Sequence, residues 1–205
     1  STGAFRDRNS PYYPWYSFTH YPDRYESWWG ITTLPNVNEN NEQYTNYICG
    51  DDGILQKWIK LGARGWRLDV ADELPDEFLD NLNKAVKKHG SEKIVIGEVW
   101  EDASNKISYG KLRSYFNGKE LDSTMNYPFR KGFIEYLLGD IDGETLSRQM
   151  MSLAENYSIH EMLAKKEYSH QIDDTLLKKE GESEIILCLN YDGLYGINNI
   201  NTNCK

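Results

Sequence analysis

Apolar and polar positions alternate most regularly between residues 65 and 100. Two short apolar runs, Trp66 to Val70 and Ile94 to Trp100, predict buried strands. Between them, apolar residues recur at helical spacing and predict an amphipathic helix that packs on a sheet. These residues are Phe78, Leu79, Leu82, Ala85 and Val86. Because a helix that joins two neighbouring strands makes them parallel, this stretch predicts a β-α-β unit.

Each predicted strand carries an acidic residue near its end, Asp69 in the first and Glu98 in the second. Arg67 precedes Asp69 by two positions, so strand periodicity places both side chains on one face. Because the carboxyl ends of parallel strands meet at one edge of a sheet, we expect Asp69 and Glu98 to lie close together. Retaining glycosidases hold two carboxylates about 5 to 5.5 Å apart, and neighbouring strands lie about 4.8 Å apart. The expected spacing would therefore allow Asp69 and Glu98 to act as an acid and base pair.

Two other interpretations fit the same residues. Asp69 could be a structural partner of Arg67, with Glu98 only a charge at a strand end. Alternatively, Asp69, Asp72, Glu73 and Glu98 could hold a magnesium ion, because carboxylate oxygens are ligands that Mg²⁺ accepts. Residue spacing alone does not choose among the three interpretations.

The flanking segments are less regular. Residues 1–46 are rich in Tyr, Trp, Pro and Asn and show no clean period, which predicts a long loop anchored by aromatic side chains. Trp28 and Trp29 could fill a small core under that loop or contact a ligand. Further along the chain, Leu121 to Met125 predicts a third strand and Arg130 to Leu138 predicts a helix.

Composition narrows the class of partner. The net charge of −9 argues against nucleic acid or an anionic membrane and fits a neutral ligand such as a sugar. The 15 tyrosines and 6 tryptophans supply flat side chains that suit sugar faces as well as protein cores. No apolar run is long enough to span a membrane. The amino end shows no signal-peptide pattern, which slightly favours a cytoplasmic location.

Two segments, GWRLDVADE and IGEVW, favour the glycosidase interpretation by resemblance. They resemble the second and third signature regions of glycoside hydrolase family 13, the α-amylase family, and are most similar to its neopullulanase, cyclomaltodextrinase and pullulanase-like members. The resemblance implies that Asp69 is the nucleophile, that Glu98 is the acid/base and that Arg67, the matching arginine, is a substrate-binding residue. It also implies that Glu73 and Asp72 line the sugar subsites.

The resemblance further implies an α/β fold, a partial (β/α)8 barrel that contains about strands 3 to 6 and the long loop after strand 3. Residues 1–157 are expected to form this partial barrel, and residues 158–205 form a tail without assignment. The first and fourth signature regions of the family have no match here. We therefore expect a chain truncated at both ends and weak or inactive as a hydrolase.

The implied reaction is retaining hydrolysis of an α-glucan oligosaccharide or polysaccharide by double displacement. Burial beside Trp100 and the charge of Asp69 are expected to raise the pKa of Glu98, as an acid requires. Trp100 is also expected to contact the substrate. We expect no cofactor, no metal, and no nucleic-acid or membrane partner; the oligomeric state stays open. The alternative is a non-catalytic glucan-binding or structural fragment.

Overall fold

The computed structural model describes residues 2–117 and 119–158. The helices are α1 (Glu42–Cys49), α2 (Ile54–Lys60), α3 (Asp76–Lys87), α4 (Tyr127–Leu138) and α5 (Gly143–Asn156). The strands are β1 (Phe18–His20), β2 (Arg24–Tyr25), β3 (Gly65–Leu68), β4 (Ile94–Gly97), β5 (Ile107–Ser108), β6 (Lys111–Leu112) and β7 (Ser123–Thr124). Short 3-10 turns lie at Tyr13–Trp15, Trp28–Gly30 and Ala71–Glu73. Apart from Ser158, the predicted tail lies outside the described residues.

A three-stranded parallel sheet positions the functional site. Its order is β3-β4-β7, and α3 connects β3 to β4. The register pairs Gly65 with Ile94 and Leu68 with Gly97. Both the predicted β-α-β unit and the predicted third strand are confirmed. The sheet that the described residues form stays open, with β3 and β7 at its edges.

The core lies where α3 packs on this sheet. All five residues of the predicted apolar stripe on α3 are buried, together with Val95 of β4. Gly97 permits close packing on β4: a Cβ there would stand 2.5 Å from Leu121 Cδ1 and 3.0 Å from Ala71 Cβ. The glycine therefore lets Ala71, in the turn after β3, and Leu121, shortly before β7, approach β4 closely.

Both barrel strands end earlier than the apolar pattern predicts. β3 ends at Leu68 instead of Val70, and β4 ends at Gly97 instead of Trp100. Val70 has a φ of +41°, a left-handed conformation that is unusual for a β-branched residue. This turn continues into the 3-10 turn at Ala71–Glu73. Consequently the chain leaves the strand just where its acidic residues begin.

The prediction of a loop over residues 1–46 was only partly right. The segment contains the antiparallel pair β1 and β2, two 3-10 turns and the start of α1. Asn41 caps α1 by accepting a hydrogen bond from the Tyr44 N–H at 3.1 Å. Aromatic contacts do anchor it, since Trp15 packs on Tyr44 and Tyr47 with ring centroids 5.4 and 5.1 Å apart.

No helix in residues 2–117 and 119–158 has both the length and the apolar character needed to cross a membrane.

Candidate active site

Asp69 and Glu98 lie side by side at the carboxyl ends of β3 and β4. The last ladder pair is Leu68 with Gly97, so these acidic residues follow it directly on the two chains. Arg67 Nη1 lies 2.5 Å from Asp69 Oδ1, and its Nη2 lies 3.0 Å from Glu98 Oε1. One guanidinium therefore holds both carboxylates at the same edge of the sheet.

The Glu98 carboxylate is buried and receives hydrogen bonds on both oxygens. The Val70 N–H donates to Oε2 at 3.0 Å, and the Tyr127 hydroxyl donates to Oε1 at 3.0 Å. Burial raises the pKa of Glu98, but the hydrogen bonds from Val70, Trp100 and Tyr127 and the charge of Arg67 outweigh it and lower the pKa from its usual 4.5. The prediction of a raised pKa for Glu98 was therefore wrong, because the four groups that contact its buried carboxylate lower the pKa by more than burial raises it.

Asp69 stands in a different environment. Its side chain is 77% exposed, whereas that of Glu98 is 10% exposed. Its exposed carboxylate is held by Arg67. The left-handed turn at Val70 separates the two environments, since it turns the chain after Asp69 back toward Glu98.

A cleft of about 270 Å³ opens beside Glu98. Three exposed aromatic side chains stand on its walls, each from a different part of the chain: Trp29, Trp100 and Tyr109. The Trp29 and Trp100 rings meet edge to face with centroids 6.3 Å apart. Such surfaces are suited to sugar rings, which present apolar faces between their hydroxyl groups.

Glu73 connects two of these aromatic residues. Its Oε1 accepts a hydrogen bond from Trp29 Nε1 at 3.3 Å and another from the Tyr109 hydroxyl. Trp29 also stacks on Trp28, with centroids 4.6 Å apart. Because Trp29 is exposed, it forms part of the cleft instead of filling a core under the loop.

Asp72 also lies at the cleft, but its carboxylate contacts the protein. The Tyr115 hydroxyl donates to Oδ1, and Lys106 Nζ lies 3.2 Å from Oδ2. Each oxygen of the Asp72 carboxylate therefore has a partner within the protein, and the role of Asp72 at the sugar subsites stays a prediction.

A second depression, of about 670 Å³, is lined by Thr19, His20, Asp23 and Arg24 on the surface around β1 and β2. It is wide and open, and it contains none of the residues at the ends of β3 and β4. The smaller cleft beside Glu98 is therefore the candidate site, since charged, aromatic and hydrogen-bonded groups converge there.

Within the described part of the chain, no three His, Cys, Asp or Glu side chains are arranged to hold a metal ion. The Arg67 guanidinium occupies the position between Asp69 and Glu98 that a shared cation would need.

Sequence reasoning missed two site residues, Tyr127 and Tyr109. Tyr127 is the first residue of α4 and follows the helix cap Asn126, which accepts from the Phe129 N–H. The position of Tyr127, two residues after the predicted strand Leu121 to Met125, was the available signal, because residues that follow such strands lie at the same sheet edge. Tyr109 lies in the hairpin of β5 and β6, whose two-residue strands give no periodic signal.

Comparisons with known proteins agree with this geometry. Residues 14–179 match the α-amylase family over its catalytic domain. An amylopullulanase from Thermoanaerobacterium thermosulfurigenes is 30% identical over 174 residues, which cover 73% of this chain and 9% of the relative. A cyclomaltodextrinase from Thermoanaerobacter pseudethanolicus is 31% identical over 146 residues, which cover 65% of this chain and 23% of the relative. The chain thus spans less than a quarter of the length of either relative.

Solved structures show the same fold. The type III pullulan hydrolase from Thermococcus kodakarensis superposes with a TM-score of 0.63 at 30% identity, over 74% of this chain and 26% of that one. A cyclic α-maltosyl-(1→6)-maltose hydrolase from Arthrobacter globiformis superposes with a TM-score of 0.66 at 24% identity, over 77% and 35%. The prediction of a partial (β/α)8 barrel is confirmed. This chain belongs to the α-amylase family, and it contains part of the catalytic domain.

Proposed function

We propose that this chain carries the nucleophile and the acid/base of an α-glucan hydrolase of the α-amylase type. The observation that carries this proposal is a pair of carboxylates joined by Arg67, of which Glu98 lines the aromatic cleft. Its relatives include proteins named amylopullulanase and cyclomaltodextrinase, which supports an α-glucan as the ligand.

In the proposed reaction, Asp69 attacks the anomeric carbon as the bond to the leaving glycosidic oxygen breaks. Glu98 gives its proton to that oxygen, and a glycosyl ester with Asp69 forms. Water then attacks the same carbon and passes a proton to Glu98, which releases the sugar and restores Asp69. Arg67 keeps both carboxylates in position, while Glu73 and Trp100 face the sugar.

The lowered pKa of Glu98 limits the first step. In the chain without sugar, Glu98 is ionised at neutral pH and has no proton to donate. We therefore expect slow cleavage of glucans, whose leaving oxygen needs that proton. Cleavage of maltosyl fluoride should be faster, because fluoride is a good leaving group that needs little help from an acid.

The test compares fluoride release from α-maltosyl fluoride with reducing-sugar release from maltodextrin and pullulan. The wild-type chain should release fluoride faster than it cleaves either glucan. Asp69→Asn should reduce the rate of fluoride release at least about a hundredfold, because this variant lacks the nucleophile. Glu98→Gln should lose glucan cleavage while it keeps a larger share of fluoride release. Fluoride release by Asp69→Asn at the wild-type rate would exclude Asp69 as the nucleophile.

The alternative function is non-catalytic glucan binding, which the exposure of Asp69 and the ionised state of Glu98 favour. Calorimetric titration with maltohexaose separates the two proposals. Binding heat without fluoride or sugar release supports a binding fragment. Absence of both heat and turnover would contradict both functions. As a matched control for charge removal, Asp80→Asn removes an exposed carboxylate on α3 and should change neither readout.

A further inference from the structure

The hairpin of β5 and β6 forms one wall of the cleft but has little structure of its own. It contains two ladder pairs, Ile107 with Leu112 and Ser108 with Lys111. Tyr109 stands at its tip with a left-handed φ of +52° and carries the hydroxyl that binds Glu73. Because isolated two-stranded hairpins are only marginally stable, contacts outside the hairpin must fix where Tyr109 stands.

Several of those contacts meet at Asp72, in the turn that follows β3, while Lys111 of the hairpin binds Asp76. Tyr115 and Lys106, one on each side of the hairpin, bind the two oxygens of the Asp72 carboxylate. Arg113 Nη1 donates to the Asp72 carbonyl at 2.7 Å. A single acidic residue thus binds the chain both before and after the hairpin.

Arg113 extends this attachment to the start of α3. Its Nη2 donates to the Leu74 carbonyl at 2.6 Å, and its Nε lies 2.9 Å from Asp76 Oδ1. The Arg113 guanidinium also lies over the Tyr115 ring, 4.8 Å from the centroid. These groups are largely buried, and buried ion pairs are costly to break because the remaining partner keeps an uncompensated charge.

We propose that Asp72 is a positioning residue that attaches the hairpin to the turn after β3 and so sets the cleft wall beside Glu98. Its carboxylate acts through Tyr115 and Lys106 and does not itself contact the sugar. Tyr109 and Ile107 then stand at the cleft because this attachment holds them there. The inference rests on the proposed function only for the identity of the ligand.

Tyr115→Phe is the decisive variant. The Tyr115 side chain is 1% exposed and does not line the cleft, so it cannot contact a ligand. Removing its hydroxyl should speed hydrogen exchange about fivefold or more at the Arg113 N–H, which closes the hairpin base by donating to the Lys106 carbonyl at 2.8 Å. It should also weaken maltohexaose binding about fivefold. Exchange at Leu82 and Val86 in α3 should stay unchanged.

Two comparison variants sharpen the result. Tyr44→Phe makes the same chemical change on α1, where Tyr44 stacks on Phe78 away from the cleft, and should leave hairpin exchange unchanged. Glu73→Gln alters a group that faces the cleft. It should weaken binding with a smaller effect on exchange at Arg113 than Asp72→Asn has.

The two readouts separate failure of this inference from failure of the proposed function. Wild-type hairpin exchange in both Tyr115→Phe and Asp72→Asn would overturn the positioning role, whatever happens to binding. Faster exchange in both would support it even if the wild-type chain binds no maltohexaose, a result that would count against the α-glucan ligand alone. If Tyr115→Phe does not fold, as shown by circular dichroism, Lys106→Met tests the other oxygen of Asp72 by hydrogen exchange at Arg113 alone, because Lys106 itself lines the cleft.

Discussion

Two buried carboxylates in this molecule have pKa values shifted in opposite directions. Glu98, after β4, is 9% exposed, and Glu120, before β7, is 4% exposed. The pKa of Glu98 is lowered because hydrogen bonds and the charge of Arg67 outweigh burial. Burial raises the pKa of Glu120; Ser114 donates to its Oε1 at 2.9 Å, but its Oε2 is buried without a hydrogen bond. Burial alone therefore does not decide which carboxyl group keeps a proton.

The difference lies in the donors that the fold supplies. At the end of β4, donors arrive from β3, from the left-handed turn after it and from the first turn of α4, namely Arg67, Val70 and Tyr127. At Glu120, the nearby charges include both Asp76, which raises its pKa, and Arg113, which lowers it. Glu98, at the proposed catalytic position, thus has donors on both carboxylate oxygens, whereas Glu120 has a donor on one.

The largest expected effect comes from Arg67→Met. This change removes the charge shared by Asp69 and Glu98 and leaves Glu98 buried without its cation. The free energy of unfolding at pH 7, measured by urea denaturation, should fall by about 3 kcal/mol. The pKa of Glu98 should rise, because the attraction that favoured its charged form is gone.

The matched control is Lys84→Met, which breaks an exposed ion pair with Asp80 on α3. This variant should lower the free energy of unfolding by at most about 0.5 kcal/mol, since exposed ion pairs are screened by solvent. An equal decrease in the free energy of unfolding for the two variants would mean that Arg67 stabilises the fold no more than an exposed lysine does.

An intermediate effect is expected for Glu98→Gln, and it should depend on pH. The folded-state pKa of Glu98 lies below the unfolded value of 4.5, so its carboxylate stabilises the fold above pH 4.5 and loses this contribution as pH falls through the folded pKa. The variant should be about 2 kcal/mol less stable than the wild type at pH 7. That difference should shrink toward zero on acidification. Asp69→Asn provides the contrast, since the loss of an exposed carboxylate should change the free energy of unfolding at pH 7 only slightly.

The sequence predicted well the parts of the molecule that rest on local patterns. The buried stripe on α3 and the parallel strands on either side follow from apolar spacing, which tertiary contacts did not override. The placement of Asp69 and Glu98 at one sheet edge follows from the same topology. The ends of β3 and β4 could not be read from the pattern, because the turn at Val70 is fixed by a hydrogen bond to Glu98, 28 residues further on.

Side-chain chemistry at the site was predicted less well, since it depends on partners that are distant in sequence. The lowered pKa of Glu98 needs Tyr127, and the engaged carboxylate of Asp72 needs Tyr115, 43 residues away. Both tyrosines lie outside the two segments GWRLDVADE and IGEVW. The two sequence motifs thus predicted the positions of the carboxylates, whereas the hydrogen-bond donors that contact them could be identified only from the structure.

The smallest expected effect has the opposite sign and comes from Glu120→Gln. Because the folded-state pKa of Glu120 is raised above 4.5, the wild-type chain loses stability as pH rises from 4.5 through that folded value. The charged form of Glu120 is unfavourable in the fold, because the buried Oε2 has no hydrogen-bond donor. Removing that charge should stabilise the fold by about 0.5 kcal/mol.

Urea denaturation of the wild type and Glu120→Gln at pH 4 and pH 7 tests this expectation. The increase in the free energy of unfolding of Glu120→Gln over the wild type should be present at pH 7. It should be absent at pH 4, where the wild-type side chain is protonated in the folded state. Glu98→Gln should show a loss over the same interval, so the two variants diverge from the wild type in opposite directions as pH rises. A loss of stability at pH 7 for Glu120→Gln would show that Ser114 and nearby cations solvate Glu120 as fully as the donors at the end of β4 solvate Glu98.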